Sequence, residues 1–126
     1  RFGEAGQKLL RGMRRAILSL ALEGNNIIID DIILEQSFLD DYLDVMADEQ
    51  LYFVGVRCPL SVIEERESQR LGRFPGTAES HFISCHAHDT YDVEVDTSVA
   101  SPEACAELIV KRIAAGPPEA FTQLAR

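Results

Sequence analysis

An α/β fold, a parallel sheet covered by helices, is what this sequence predicts, on three observations. Apolar residues recur at three- and four-residue steps in some segments and run continuously in others. The two kinds of segment alternate along the chain. The stretches between successive strand-like segments are long enough for the crossovers that parallel pairing requires.

The first helix is predicted over Glu4 to Glu23, with Leu9, Met13, Ile17 and Leu20 as its apolar face and Lys8, Arg11, Arg14 and Arg15 largely between them. Gly24 and Asn25 supply a left-handed cap and turn. "NIIID" then reads as a strand buried on both faces, because its β-branched residues do not alternate with polar ones. A second helix spans roughly Glu35 to Met46, turning Phe38, Leu39, Tyr42, Leu43 and Met46 inward and Asp40, Asp41 and Asp44 to solvent. "LYFVGV" (Leu51 to Val56) is the next strand, and Pro59 in the following segment suits the first turn of a helix. Gly72, Pro75 and Gly76 break that helix, and "YDVEVDTS" (Tyr91 to Ser98) supplies a third, shorter strand. Ser101 as N-cap and Pro102 at the first position open a last helix, which Gly116, Pro117 and Pro118 close. The tail to Arg126 is expected to be loosely held.

At 126 residues and 46% hydrophobic content the chain suits a single domain with a modest core. Acidic residues outnumber basic ones 21 to 12, for a net charge of −9. A broad electrostatic grip on nucleic acid or on an anionic membrane is therefore not expected, although local arginines can still bind a small phosphate. Cys58, Cys85 and Cys105 lie far apart, which suits reduced thiols in the cytoplasm better than a disulfide framework. No stretch has the length of an apolar membrane span, and no signal-peptide pattern is present. The chain begins at Arg1, without Met, inside a helix-like segment, which reads as a fragment or a processed chain.

Parallel sheets bind ligands at the carboxyl ends of their strands, where Asp30, Asp31, Arg57 and Asp96 fall. Asp30 and Asp31 either face such a crevice or cap the next helix. Arg66 and Arg70 are four residues apart on one predicted helical face, with Arg73 just beyond in a glycine-flanked loop. Arginine suits phosphate because its planar fork donates two hydrogen bonds and keeps its charge. The alternative is an ordinary solvated helix on which Glu64, Glu65 and Glu67 pair with these arginines. "HFISCHAH" places His81 and Cys85 at metal-ligand spacing, with His86 and His88 beside them. No second ligand pair occurs elsewhere, and no metal ligand is assigned.

"GNNIIIDDIIL", "FVGVRCPLSVIEERESQRLGR" and "YDVEVDTSVASPEACAELI", in this order and spacing, resemble chloramphenicol phosphotransferase and its relatives among the P-loop kinases, over about Arg11 to Ile113. The resemblance implies a three-layer α/β/α fold and transfer of the γ-phosphate of ATP, with Mg²⁺, to a hydroxyl of a small molecule, an antibiotic in the namesake. It implies that Arg66, Arg70 and Arg73 are lid arginines contacting ATP, with Arg70, Arg73 and Asp30 serving the transfer step. Asp96, Thr97 and Ser98 match the loop beside the adenine. Asp31 and Arg14, the latter on a helix that would help build the acceptor pocket, are the implied substrate contacts. His86 matches a histidine of unassigned role. One departure matters: the chain contains no G-x-x-x-x-G-K-[ST], the loop that cradles phosphates. The expectation is therefore an incomplete kinase-like domain, its first strand and phosphate loop lying before Arg1; the alternatives are a non-catalytic decayed-kinase or partner-binding module, or a kinase of the same fold with a nucleotide, shikimate or sugar acid as acceptor. Without that strand, apolar sheet edges are open, which also makes homo-oligomerisation possible.

Overall fold

The computed structural model describes residues 2–72 and 74–126. Arg73 of the predicted lid lies outside them. The fold class is α/β, with a small parallel sheet flanked by helices. Where the sequence suggests one domain, the chain divides into two compact units, Arg1–Glu49 and Gln50–Arg126.

The first unit contains α1 (Glu4–Leu22) and α2 (Gln36–Val45). Both agree with their predicted spans, and Gly24 takes the left-handed conformation (φ 84°) that turns the chain after α1. The buried face of α1 is not the predicted one. Leu9 is 75% exposed, Met13 and Leu20 are exposed too, and the residue buried on α1 is Arg14. An ion pair from Arg14 to α2 sets this rotation, with Phe38, Leu39, Tyr42 and Met46 forming the core beneath it. Asp41, predicted to face solvent, is the partner in that pair.

The predicted strand at "NIIID" is absent: residues 25–34 form no ladder, and Ile28 is 97% exposed. Strand propensity becomes a strand only beside a hydrogen-bonding neighbour, and none reaches this segment among the described residues.

The second unit is built on β1 (Val54–Arg57) and β2 (Val93–Asp96), paired in parallel from Val54↔Val93 to Arg57↔Asp96. Between them run α3 (Leu60–Ser68), α4 (Thr77–Phe82) and a 3₁₀ turn (Ser84–His86). Pro59 stands one position earlier than predicted, as the N-cap of α3. Helix α5 (Pro102–Ala115) packs on β2 and buries Cys105. Its Ser101 cap accepts the amide of Ala104 at 3.2 Å, as the sequence predicts.

The tail is tied down, contrary to expectation. It folds into α6 (Ala120–Leu124), whose amides at Glu119 and Ala120 donate to the Asp92 carboxylate at 2.7 and 3.1 Å. Asp92 also accepts from the Phe53 amide at 2.8 Å and from Arg112 Nη2 at 3.3 Å. Phe121 then meets Phe53 edge to face. One buried carboxylate thus joins the start of both strands, α5 and the tail.

Candidate functional site

The candidate residues fall in both units. In the second, they gather where β1 and β2 end. Parallel pairing brings the Thr97 amide onto the Arg57 carbonyl at 3.0 Å, so the residues after both strands emerge together. Arg66, on α3, reaches across to this point: Nη1 donates to Thr97 Oγ1 at 2.9 Å and Nη2 to the Thr97 carbonyl at 2.8 Å. The same guanidinium lies 3.7 Å from Cys58 Sγ. Asp96 turns back on its own loop and accepts from the Ser98 hydroxyl and from the Ser98 amide, the latter at 2.8 Å. Those bonds, helped by the charge of Arg66, hold Asp96 below the usual carboxylate range. The structure therefore brings Arg66, Asp96, Thr97 and Ser98 together. Val99, 83% exposed, offers an apolar surface beside them.

Arg70 is placed differently from its prediction. Helix α3 ends at Ser68, so Arg70 is not one helical turn above Arg66; it is exposed in the turn that follows. Left-handed Gly72 (φ 82°) and Gly76 (φ 85°) shape the loop from there to α4. The alternative reading, glutamates paired with these arginines, is not met by Glu67 among the described residues. Its carboxylate accepts the Gly76 amide at 3.2 Å and the Ala78 amide at 3.0 Å, satisfying free donors at the start of α4.

Arg57 is held by Glu94 at 2.6 Å and by Asp89, with its guanidinium over the Tyr91 ring. Glu94 foremost raises the Arg57 pKa, and the two carboxylates hold this cation at the sheet end. Behind it lies an aromatic cluster that the sequence marked only as histidines. His88 stacks on Phe53 with centroids 4.9 Å apart, and His86 Nδ1 shares a hydrogen bond with the Tyr91 hydroxyl. Burial lowers the pKa of both histidines, His86 further through Arg57 and His88 further through His86. Burial also pushes the Tyr91 phenol up to about 12 and raises the Cys85 thiol. His81 lies apart from this cluster, near the end of α4.

In the first unit, Asp30 is exposed. Neither Asp30 nor Asp31 caps α2, whose N-cap is Glu35. Asp31 reaches α2 further along: Oδ2 accepts from the Tyr42 hydroxyl at 2.8 Å and Oδ1 from the Ile32 amide. Burial and this carboxylate raise the Tyr42 pKa. The Tyr42 ring also lies 4.9 Å from the Arg14 guanidinium, so Tyr42 links Arg14 to Asp31, the two predicted substrate contacts. Helical periodicity marks Tyr42 as core alone and carries no signal for its hydroxyl. Asp41 receives both Arg14 (2.9 Å) and Arg15 (3.1 Å). Burial would raise its pKa, but these two guanidiniums outweigh burial and leave it lowered.

In the second unit Arg70 is a cation in an exposed turn and Val99 an open apolar surface beside the Asp96–Ser98 loop; in the first, Asp30 is an exposed carboxylate. Among the described residues no group of three or more His, Cys, Asp or Glu is placed to hold a metal ion. No helix among the described residues is long and apolar enough to cross a membrane.

A family model described as chloramphenicol phosphotransferase-like protein matches residues 3–114. Neither a curated protein nor a solved structure gives a significant match.

Proposed function

Since this chain belongs to the chloramphenicol phosphotransferase-like family, a group of kinase-like phosphotransferases, we propose that it serves transfer of the γ-phosphate of ATP to a hydroxyl of a small molecule. The observation that carries this reading is the assembly at the ends of β1 and β2, where Arg66 grips Thr97 by two hydrogen bonds and Asp96 closes on Ser98. Such a rigid corner beside exposed Val99 suits the adenine end of a nucleotide. In this role Arg66 positions the loop, with each terminal nitrogen donating to Thr97, so Arg70 is the better candidate to meet phosphate. Arg73 keeps the lid role implied by the resemblance.

Asp30 keeps the transfer-step role implied by the resemblance, and Mg²⁺, implied by the same resemblance, would supply charge neutralisation at the phosphates when bound. The acceptor side belongs to Asp31 and Arg14. The 126 residues contain no G-x-x-x-x-G-K-[ST], so the isolated chain is expected not to turn over.

The test is ADP release from ATP and Mg²⁺ with a panel of small alcohols, using the natural protein that carries these residues. Acceptor-dependent ADP release is expected, and Arg70→Ala should lower it by about 10³-fold, the lower end for a phosphate-clamping arginine. No acceptor-dependent release with any alcohol would refute the reading. Full turnover by the isolated chain would refute the need for a phosphate loop.

A further inference from the structure

Arg14 is the buried charged residue of the described chain, 1% exposed, and it lies wholly within the unit Arg1–Glu49. Its hydrogen-bonding capacity is only partly used. Nη1 donates to Asp41 Oδ2 at 2.9 Å, whereas Nε and Nη2 are buried with no partner among the described residues. These two nitrogens form the side-on edge of the guanidinium, whose parallel N–H bonds match a planar group with two oxygens. Leaving buried donors unpaired is costly, and native structures keep few of them.

Charge and packing narrow the ligand. Arg14 and Arg15 share the single carboxylate of Asp41, which leaves one positive charge over in this cluster. Asp31 does not cancel it by an ion pair, because its oxygens accept from Tyr42 and from its own turn. The rings of Phe38 and Tyr42, each 4.9 Å from Arg14 Cζ, engage the guanidinium by cation–π contact and leave the Nε–Nη2 edge free. That edge is closed to solvent, so a ligand must displace a side chain to reach it. Phe2, half-exposed and tilted against Phe38, is the least buried aromatic residue of this packing.

We propose that the Nε–Nη2 edge of Arg14 binds a carboxylate on the phosphoryl acceptor, which makes the acceptor a hydroxy acid. The hydroxyl in this statement rests on the phosphotransfer reading; the carboxylate rests on Arg14.

The experiment is a titration of the isotopically labelled chain with 4-(hydroxymethyl)benzoate, 4-nitrobenzyl alcohol and benzyl alcohol, following the Arg14 Nε–H resonance. The first two are close in shape, and both carry a planar two-oxygen group, but only the first is charged. The benzoate is expected to shift the resonance and to bind at least about tenfold more tightly than either neutral alcohol. Arg14→Lys, which keeps the charge and loses the fork, should abolish that preference. An unmoved Nε–H at saturating benzoate, equal affinity for the nitro compound, or an unchanged preference in folded Arg14→Lys would overturn the proposal. If the variant does not fold, the titration of the unaltered chain decides. Binding here needs no nucleotide, so the two readings fail separately. A hydroxy acid that binds at Arg14 without being phosphorylated counts against transfer only. Phosphorylation of benzyl alcohol as readily as of the hydroxy acid, with Arg14 unaffected, counts against the carboxylate anchor only.

Discussion

Replacing Asp92 by alanine should be among the most damaging single changes to the second unit. The carboxylate is 1% exposed and accepts from Phe53 N, Glu119 N, Ala120 N and Arg112 Nη2. Alanine removes every one of these acceptors. The Phe53 and Ala120 amides are left as part-buried donors, at about 1–3 kcal/mol each. Arg112 is less affected, since it also donates to the carbonyls of Asp92, Gly116 and Pro117. The sum is a loss of about 3–5 kcal/mol, in line with the removal of one partner from a buried charged network. Against a total stability of about 5–15 kcal/mol this is a large fraction. Because the chain forms two compact units, the assay should be local: native-state amide exchange at Phe53, Val54 and Ala120, compared between the natural chain and Asp92→Ala. Asp92→Asn keeps an acceptor for part of the network and should lose about half as much. A loss below about 1 kcal/mol at these amides in Asp92→Ala would refute the view that this carboxylate joins the strands to the tail.

Two further outcomes follow from the same unit. A Cβ at Gly55 would stand 2.8 Å from Cδ2 and Cε2 of Tyr91, so Gly55→Ala should cost about 1–3 kcal/mol in urea unfolding, and much less in a Tyr91→Ala background. Stability should also fall in mild acid. His86 and His88 titrate below 6.5 when folded and near 6.5 when unfolded, so below that pH the unfolded chain binds more protons. Their contribution is full above 6.5 and declines beneath it. Urea midpoints at about pH 7.5 and 5.5 should differ in that direction, and replacing both histidines by glutamine should flatten the slope.

The sequence predicted some parts of this structure and not others, for identifiable reasons. Helix α5 is legible because cap, proline and periodicity agree in it, α2 from its periodicity, and β1 and β2 because apolar strand-like segments sit at crossover distance. "NIIID" has the same composition as a buried strand, but a ladder requires a neighbour that composition does not supply. The rotation of α1 was hidden because Leu9, Met13 and Leu20 outweigh an arginine in any hydrophobic count. What turns the helix is a pair with Asp41, separated by 27 residues. Glu67 and Asp92 were misjudged or passed over on the same ground: each acts through backbone amides of distant segments, and amides leave no mark in a side-chain pattern. For the candidate site, the hydrogen bond from Arg66 to Thr97 joins residues 31 apart that no sequence pattern pairs, and the placement of Arg70 depends on where α3 stops.

The parallel pairing of β1 with β2 has a consequence during synthesis. Phe53 and Asp92, which meet where the two strands begin, are 39 residues apart in the chain. At translation rates of about 5–20 residues per second, β1 therefore waits roughly 2–8 s between its own emergence and that of its partner. Helix α3 can form during that interval from local contacts, while the edge of Val54 to Arg57 remains open to other strands. For a nascent chain, this edge of β1 is covered when Val93 to Asp96 arrives.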